Sequence, residues 1–372
     1  MKIAAFINSQ PHQLNQTLVE FGGTLDVYAT NKNLLPQFGF AKKSKKYTSI
    51  SKLHGFGDWF FFTLCAPVLW LYSFWKAVVC ASKGYKVVIL TQLSDKLLFT
   101  LWLRIFGIRV IWVESQYYEK SFHSNIYILL YGLLSRMTTC ACLSQAILNE
   151  LVAKCYVKEK NCVYVGTCID LEQTKAQSDI YETMVAADHQ VKNANLFVIG
   201  YVGDIGADDG VETLIKAVES IREFIIDLSV IIVGDGMQKK NIMWLTKMLG
   251  LDDKISFVGK QQNWMRWYNY FDIFVMPTQK SSEFSFEVAY ALAHATPTIV
   301  TKVAGVEEVS AFVGGYVITP GASQDLGQAI LDLYNNKQQR AQFGAQGKKR
   351  AYEEYSREVV SGRWGKLLVT NY

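Results

Sequence analysis

A chain of 372 residues is too long for one ordinary hydrophobic core and suits two domains of about 150 to 200 residues each. Half of it is hydrophobic and 19% charged, which supplies ample core material and excludes a chain dominated by disorder. The net charge of +5 is unevenly placed, because the first 150 residues carry 15 Lys and Arg against seven Asp and Glu, a net of +8, and the rest a net of −3. Seven cysteines, at 65, 80, 140, 142, 155, 162 and 168, contain no CxxC pair and make an odd total, so they outline neither a zinc site nor a disulfide framework. Several lie in apolar runs, as reduced, buried cysteines do, and a reducing cytoplasm is the expected compartment.

The opening MKIAAFINSQ reads as a short apolar strand that turns polar at once, not as a secretory signal. Next, AKKSKKYTSISK gathers Lys42, Lys43, Lys45, Lys46 and Lys52 in a loop-like segment. It is either a solvated loop or a surface drawn to anionic lipid head groups, at about 1 kcal/mol per lysine. The run WFFFTLCAPVLWLYSFWKAVVCA, residues 59 to 81, is long enough to span a bilayer and has one charge, Lys76. It is followed directly by the strand-like KGYKVVILT, by the helical SDKLLFTLWLRIF with Ser94 or Asp95 as its N-cap, and by the strand-like GIRVIWVES. That β-α-β order makes 59 to 81 a domain helix, buried or facing a membrane, with Pro67 kinking it or marking its start. Glu114 falls at a strand's carboxyl end, where a base or ligand for a second substrate belongs. His123, shortly after it, reads as a surface or capping residue.

The passage from the first domain to the second is expected near CVYVGTCIDLEQ, residues 162 to 173, followed by a polar linker with a short helix. NLFVIGYVG then has the near-continuous apolarity of a strand buried on both faces. Residues 211, 214, 215 and 218 follow with helical spacing. LSVIIVGDG, KISFVG, DIFVMPT and PTIVTKV continue the alternation of strands with helices, which gives right-handed crossovers and parallel sheets. The expected fold class is therefore α/β, with two Rossmann-like doubly wound domains at residues 1–165 and 166–352. A final helix, 353–372, is expected to pack back on the first domain.

Doubly wound domains bind ligands beyond the carboxyl ends of their strands, which directs attention to GDIGADDG, VGDGMQ, VGKQQN and PTQKSSEFSF. Gly203, Gly206 and Gly210 precede a helix whose N-terminal amides can meet a phosphate. Taken in order, YVGDIGADDGVETLIKA, IIVGDGMQ, ISFVGK, YFDIFVMPT, SFEVAYALAHATPTIV, KVAGVEEV and GGYVITPGASQDLGQAI resemble the C-terminal domain of family four retaining glycosyltransferases, which have the GT-B fold. The resemblance covers about residues 160 to 357, and Asp170 in VGTCID stands where that family crosses between domains. It implies a nucleotide-sugar donor held mainly by the second domain, an acceptor held mainly by the first, and transfer in the cleft between them. No cofactor or metal beyond the nucleotide-sugar co-substrate is implied. By this resemblance the donor-site residues are Gly203, Asp204, Asp209, Gly210, Gly234 and Gly259 on the strand-end loops. Lys280, Ser282, Phe284, Ser285, Phe286 and Tyr290 complete the set at the loop-to-helix junction.

Several family side chains are replaced. The family carries an Arg and a Lys facing the donor pyrophosphate where this chain has Asp204 and Asp209, with Asp208 alongside. At about 5 Å and an effective dielectric near 20, each swap turns an attraction of about 3 kcal/mol into a repulsion of similar size. Backbone amides, a lysine from another loop (Lys260, Lys280 or Lys302, with Lys280 best placed), or a divalent ion would each offset this. The family's pair of glutamates, eight apart, corresponds to Ser282 and Tyr290. Glu283 lies one residue from the first position and Glu287 three before the second, one helical turn away on the same side. Glu283, Glu287 and Glu114 are the candidate catalytic carboxylates, although Glu287 also suits a plain first-turn acid and Glu283 a plain loop charge. The expected function is glycosyl transfer from a nucleotide-sugar to a glycan or lipid-linked acceptor in cell-surface polysaccharide or glycolipid synthesis. A peripheral membrane contact through Lys42, Lys43, Lys45, Lys46 and residues 59–81, at the inner face of the membrane, goes with it. The alternative is an inactive homologue serving as a binding or stabilising subunit. A nicotinamide enzyme has little support, since neither domain has a G-x-G-x-x-G turn with an acid about 20 residues on.

Overall fold

The computed structural model describes residues 2–7, 25–29, 43–46, 56–115, 125–171, 196–280, 284–310 and 314–369. The chain divides into two compact units, Met1–Cys168 with Arg357–Tyr372, and Ile169–Ser356.

In the first unit, β1 (Ile3–Ile7), β2 (Leu25–Ala29), β3 (Lys43–Lys46), β4 (Val87–Leu90), β5 (Arg109–Glu114), β6 (Thr139–Cys142) and β7 (Cys162–Tyr164) form one sheet. Its order is β3-β2-β1-β4-β5-β6-β7, and every pairing is parallel. Helices α1 (Phe56–Ser82), α2 (Leu93–Ile105), α3 (Asn125–Ser135) and α4 (Gln145–Lys154) connect the strands. Alternate strand residues separate two cores. Phe6, Leu90, Val110 and Trp112 pack with Ala77, Leu98 and Tyr131 of the connecting helices, whereas Ala5, Ile89, Ile111 and Val113 pack with Trp364 and Leu367 from the end of the chain. Two-sided burial explains why these strands read as unbroken apolar runs.

Three expectations change here. Lys43, Lys45 and Lys46 do not lie in a loop but form the edge strand β3; an edge needs only one pairing partner, and lysines there discourage further pairing. Lys42 lies outside the described residues. Helix α1 runs through Pro67 instead of starting at it, and among the described residues no helix is long and apolar enough to cross a membrane. Helix α2 begins earlier than Ser94: Gln92 is its N-cap residue, and Ser94 and Asp95 are buried in its first turn.

The second unit contains β8 (Phe197–Val202), α5 (Val211–Ile221), β9 (Leu228–Val233), α6 (Lys239–Met248), β10 (Ile255–Gly259) and β11 (Ile273–Met276). Then come α7 (Phe286–Ala293), β12 (Thr298–Thr301), α8 (Glu307–Ser310), β13 (Gly315–Ile318), α9 (Ser323–Asn335) and α10 (Lys337–Tyr355). Its sheet is again all parallel, in the order β10-β9-β8-β11-β12-β13. WMRWYNYF forms a 3-10 turn at Trp264–Tyr270 that leads into β11. The order in which strands are added reverses between β8 and β11, and a ligand crevice is expected outside their carboxyl ends. After Ser356 a last helix, α11 (Arg357–Val369), joins the first unit, where Arg109 donates to the carbonyls of Leu367 and Leu368.

Candidate functional site

At that switch point of the second unit, the loops after β8 and β11 are tied together by backbone. The Asp208 carbonyl accepts from Gln279 N–H at 2.7 Å and from the Thr278 hydroxyl at 3.1 Å. Gly210 makes the approach possible. Its φ is +75°, and a Cβ there would lie 1.8 Å from the Pro277 carbonyl oxygen. Gly234, after β9, is equally constrained, because a Cβ would lie 1.8 Å from the Gly203 carbonyl.

The tied loops enclose a cavity of about 270 Å³ lined by Tyr201, Gly203, Asp204, Asp209, Met276, Thr278, Lys280, Phe284, Ser285, Phe286, Glu287 and Val306. A second, of about 390 Å³, is lined by Gly203, Asp204, Val233, Gly234, Asp235, Lys260, Gln261, Trp264 and Glu287 among others. Gly203, Asp204 and Glu287 belong to both, so the two form neighbouring compartments of one site. Phe284, Ser285 and Phe286 line the first; Gly210 and Gly259 shape the loops without lining either cavity. Ser282 and Glu283 lie outside the described residues, as does His123.

The charges of the first cavity are organised around Asp209. Its Oδ2 accepts from Gly206 N–H at 2.8 Å, and its Oδ1 lies 2.8 Å from Lys280 Nζ. The carboxylate is nearly buried, and the hydrogen bond it accepts holds the Lys280 ammonium above its ordinary pKa. Lys280 is therefore charged throughout the neutral range, and it is the one cation lining this cavity. Lys260 lines the second compartment, and Lys302 lines neither. Among the described residues no group of three or more His, Cys, Asp or Glu is arranged to hold a metal ion.

Glu287 occupies the first turn of α7, behind the N-cap Ser285, whose hydroxyl donates to its Oε2 at 3.2 Å. Burial pushes its carboxyl above the ordinary value of 4.5; its own backbone N–H and Ser285 oppose the shift, and the charges of Asp204 and Asp209 add to it. A carboxyl so placed holds its proton more readily than an exposed one and can accept hydrogen bonds from ligand hydroxyls. Tyr290, one turn on, is turned into the fold: its hydroxyl accepts from Asp170 N–H at 3.3 Å and its ring meets Trp264 edge-on at 5.2 Å. It lines neither cavity and reaches the second through its contact with Trp264.

Glu114 behaves differently. It is 0% exposed at the end of β5, in an ion pair of 2.7 Å with Lys96, which is equally buried and also donates to the Val113 carbonyl. The expected base or ligand for a second substrate is instead half of a core ion pair, because α2 carries Lys96 directly against the strand end. Thr278, Tyr201, Gln261 and Trp264 were not anticipated. Thr278 follows Pro277, Gln261 lies in VGKQQN, Tyr201 in NLFVIGYVG and Trp264 in the aromatic run WMRWYNYF, but nothing local marks these four side chains as site residues.

A family model described as "Glycosyl transferases group 1" matches residues 196–336, the segment that builds both compartments. The capsular polysaccharide biosynthesis glycosyltransferase CapM of Staphylococcus aureus is 23% identical over 272 residues, 69% of this chain and 68% of that protein. N-acetyl-alpha-D-glucosaminyl L-malate synthase of Bacillus anthracis is 26% identical over 140 residues, 37% of this chain and 36% of that protein. Among solved structures, Anabaena HepE in complex with UDP superposes with a TM-score of 0.78 at 16% identity, covering 99% of each chain. A glycosyltransferase from Rickettsia africae gives 0.80 at 13%, covering 100% of this chain and 99% of its own. The fold is GT-B. The two all-parallel units are the doubly wound halves of that fold, and the candidate site lies in its C-terminal half.

Proposed function

We propose that the protein is a glycosyltransferase that takes a sugar from a nucleotide-sugar and delivers it to a glycan or lipid-linked acceptor in the synthesis of a cell-surface polysaccharide or glycolipid. The observation that carries this reading is the two-compartment cavity at the β8/β11 switch point, where Lys280 and Glu287 line the same space. In this reading the diphosphate is met by Lys280, the cation lining the first compartment. Asp204 and Asp209 then do not contact phosphate; Asp209 instead holds Lys280 and the loop in place. The second compartment, walled by Trp264, Gln261 and Gly234, takes the nucleoside, and Glu287, shared by both, stands beside the sugar and ribose hydroxyls. HepE was crystallised with UDP and with UDP-glucose, and UDP-sugars are accordingly the first donors to test.

Titration calorimetry with a panel of UDP-, GDP- and CMP-sugars, with and without EDTA, tests the reading. Binding of at least one donor in EDTA, with slow donor hydrolysis, is expected. A folded protein that binds and hydrolyses none of them overturns it. The inactive-subunit alternative has no observation of its own in its favour, since the relatives found are named as transferases and a synthase.

A further inference from the structure

Thirteen of the 22 large apolar side chains that stand exposed among the described residues come from α1, α2, α3 and the turns directly after α2 and α3. Leu64, Val68, Leu71 and Trp75 repeat at helical spacing along α1 and are 65–70% exposed, so the outward stripe of this helix is as apolar as its inward one. The stripe continues sideways. Trp102 of α2 lies against Trp70 and Phe74 at 4.4 and 4.9 Å, and Phe74 reaches Phe106 at 5.9 Å. Beyond α2, Leu129 and Leu133 of α3, one turn apart, are also more than half exposed. Core packing does not account for these side chains, because Ala77, Cys80, Leu98 and Tyr131 of the same helices already fill the inward face. An exposed apolar surface built from three neighbouring helices marks a docking face.

We propose that this face of α1, α2 and α3 seats the protein on the surface of an anionic lipid bilayer. The charges identify the occupant. The charged side chains described on the face or its rim are Lys76, Lys83, Arg104 and Arg136, all cations; of the two acids in these three helices, Asp58 lies in the first turn of α1 and Asp95 is buried. Trp70, Tyr72 and Trp75 have the amphipathic rings that settle at head-group level, and Lys76 leans on Tyr72 with its ammonium 5.2 Å from the ring centre. Aromatic and aliphatic residues at the acyl boundary with cations at the phosphates are what such a surface selects. Helices of this unit do not cross the membrane on this proposal; they lie along it. Nothing in it depends on transferase activity.

Flotation of the full chain with vesicles tests it. Mixed phosphatidylglycerol and phosphatidylcholine vesicles are expected to bind the protein, and phosphatidylcholine alone about tenfold or more weakly, with the difference shrinking at high salt. The double variants Leu71→Ser with Trp75→Ser, and Arg104→Glu with Arg136→Glu, should each lose about tenfold or more of the binding to mixed vesicles. Both pairs are surface positions, and wild-type unfolding transitions should show that the fold survives. Ile226→Ser, an exposed apolar residue of the other unit, should bind as wild type. Absence of wild-type binding to the mixed vesicles, or unchanged binding by both double variants, overturns the proposal. So does a lipid-free dimer in sedimentation that Leu71→Ser with Trp75→Ser dissociates, which assigns the face to a second copy.

Discussion

Substitution of Lys280 by methionine isolates the electrostatics of the candidate donor site, since methionine preserves the aliphatic stem and removes the charge. The first cavity then retains Asp204, Asp209 and Glu287 with no cation among its lining residues. A unit charge about 4 Å from a phosphate oxygen contributes about 4 kcal/mol at an effective dielectric of 20. Two facts reduce that. The Lys280 side chain is 56% exposed, so solvent screens it, and before a donor binds it is already paired with Asp209. A net loss of about 1–2 kcal/mol remains, which is about five- to thirtyfold in Kd. Calorimetric titration with UDP at low and high salt measures it, and the wild-type advantage should narrow as salt rises. Asp209 keeps its bond to Gly206, so the melting temperature should move little. A variant that binds UDP as tightly as wild type at low salt refutes the assignment of Lys280 to the diphosphate.

Glu287→Gln should change the pH dependence of stability with a defined sign. The folded pKa of Glu287 is raised, so its contribution is fully present below the ordinary carboxyl value of 4.5 and is lost as pH rises through the folded value. Melting curves from acid to neutral pH should therefore show the variant gaining on wild type; the opposite trend would refute the buried-acid account. Gly210→Ala meets the Pro277 carbonyl in a left-handed backbone and should cost at least about 2 kcal/mol in urea denaturation, whereas a change under about 0.5 kcal/mol would show that the two loops separate easily. Lys96→Met strands the Glu114 charge in the core and should cost about 3–5 kcal/mol, much of it restored by adding Glu114→Leu. A single variant within about 1 kcal/mol of wild type would refute the core ion pair as a structural element.

The GT-B fold was legible in the sequence because strands buried on both faces leave unbroken apolar runs. NLFVIGYVG, LSVIIVGDG and DIFVMPT became β8, β9 and β11. KSKK carried no such run, since an edge strand is held by backbone pairing to one neighbour and its side chains need not be apolar. In the site, the glycines and the α7 start were visible as local chemistry. The role of Asp209 was not. Its charge looked hostile to a phosphate until Lys280, 71 positions further along the chain, was found within 2.8 Å. Glu114 shows the reverse case, for its place at a strand end was read correctly and its partner on α2 was invisible. Pairings between loops and between layers decide what an ionisable group does, and they arise from tertiary packing.

The return of α11 to the first unit sets an order of assembly on the ribosome. Residues 169–356 are contiguous and can close their core while synthesis continues. The first unit is started earlier and finished later, because Val360, Trp364, Leu367 and Leu368 complete one face of its sheet. Until they emerge, Ile89, Ile111 and Val113 wait without their cover. The half of the molecule made first is thus the half most exposed to misassociation during its own translation, and a stop codon near residue 356 would leave the second unit intact beside an unfinished neighbour.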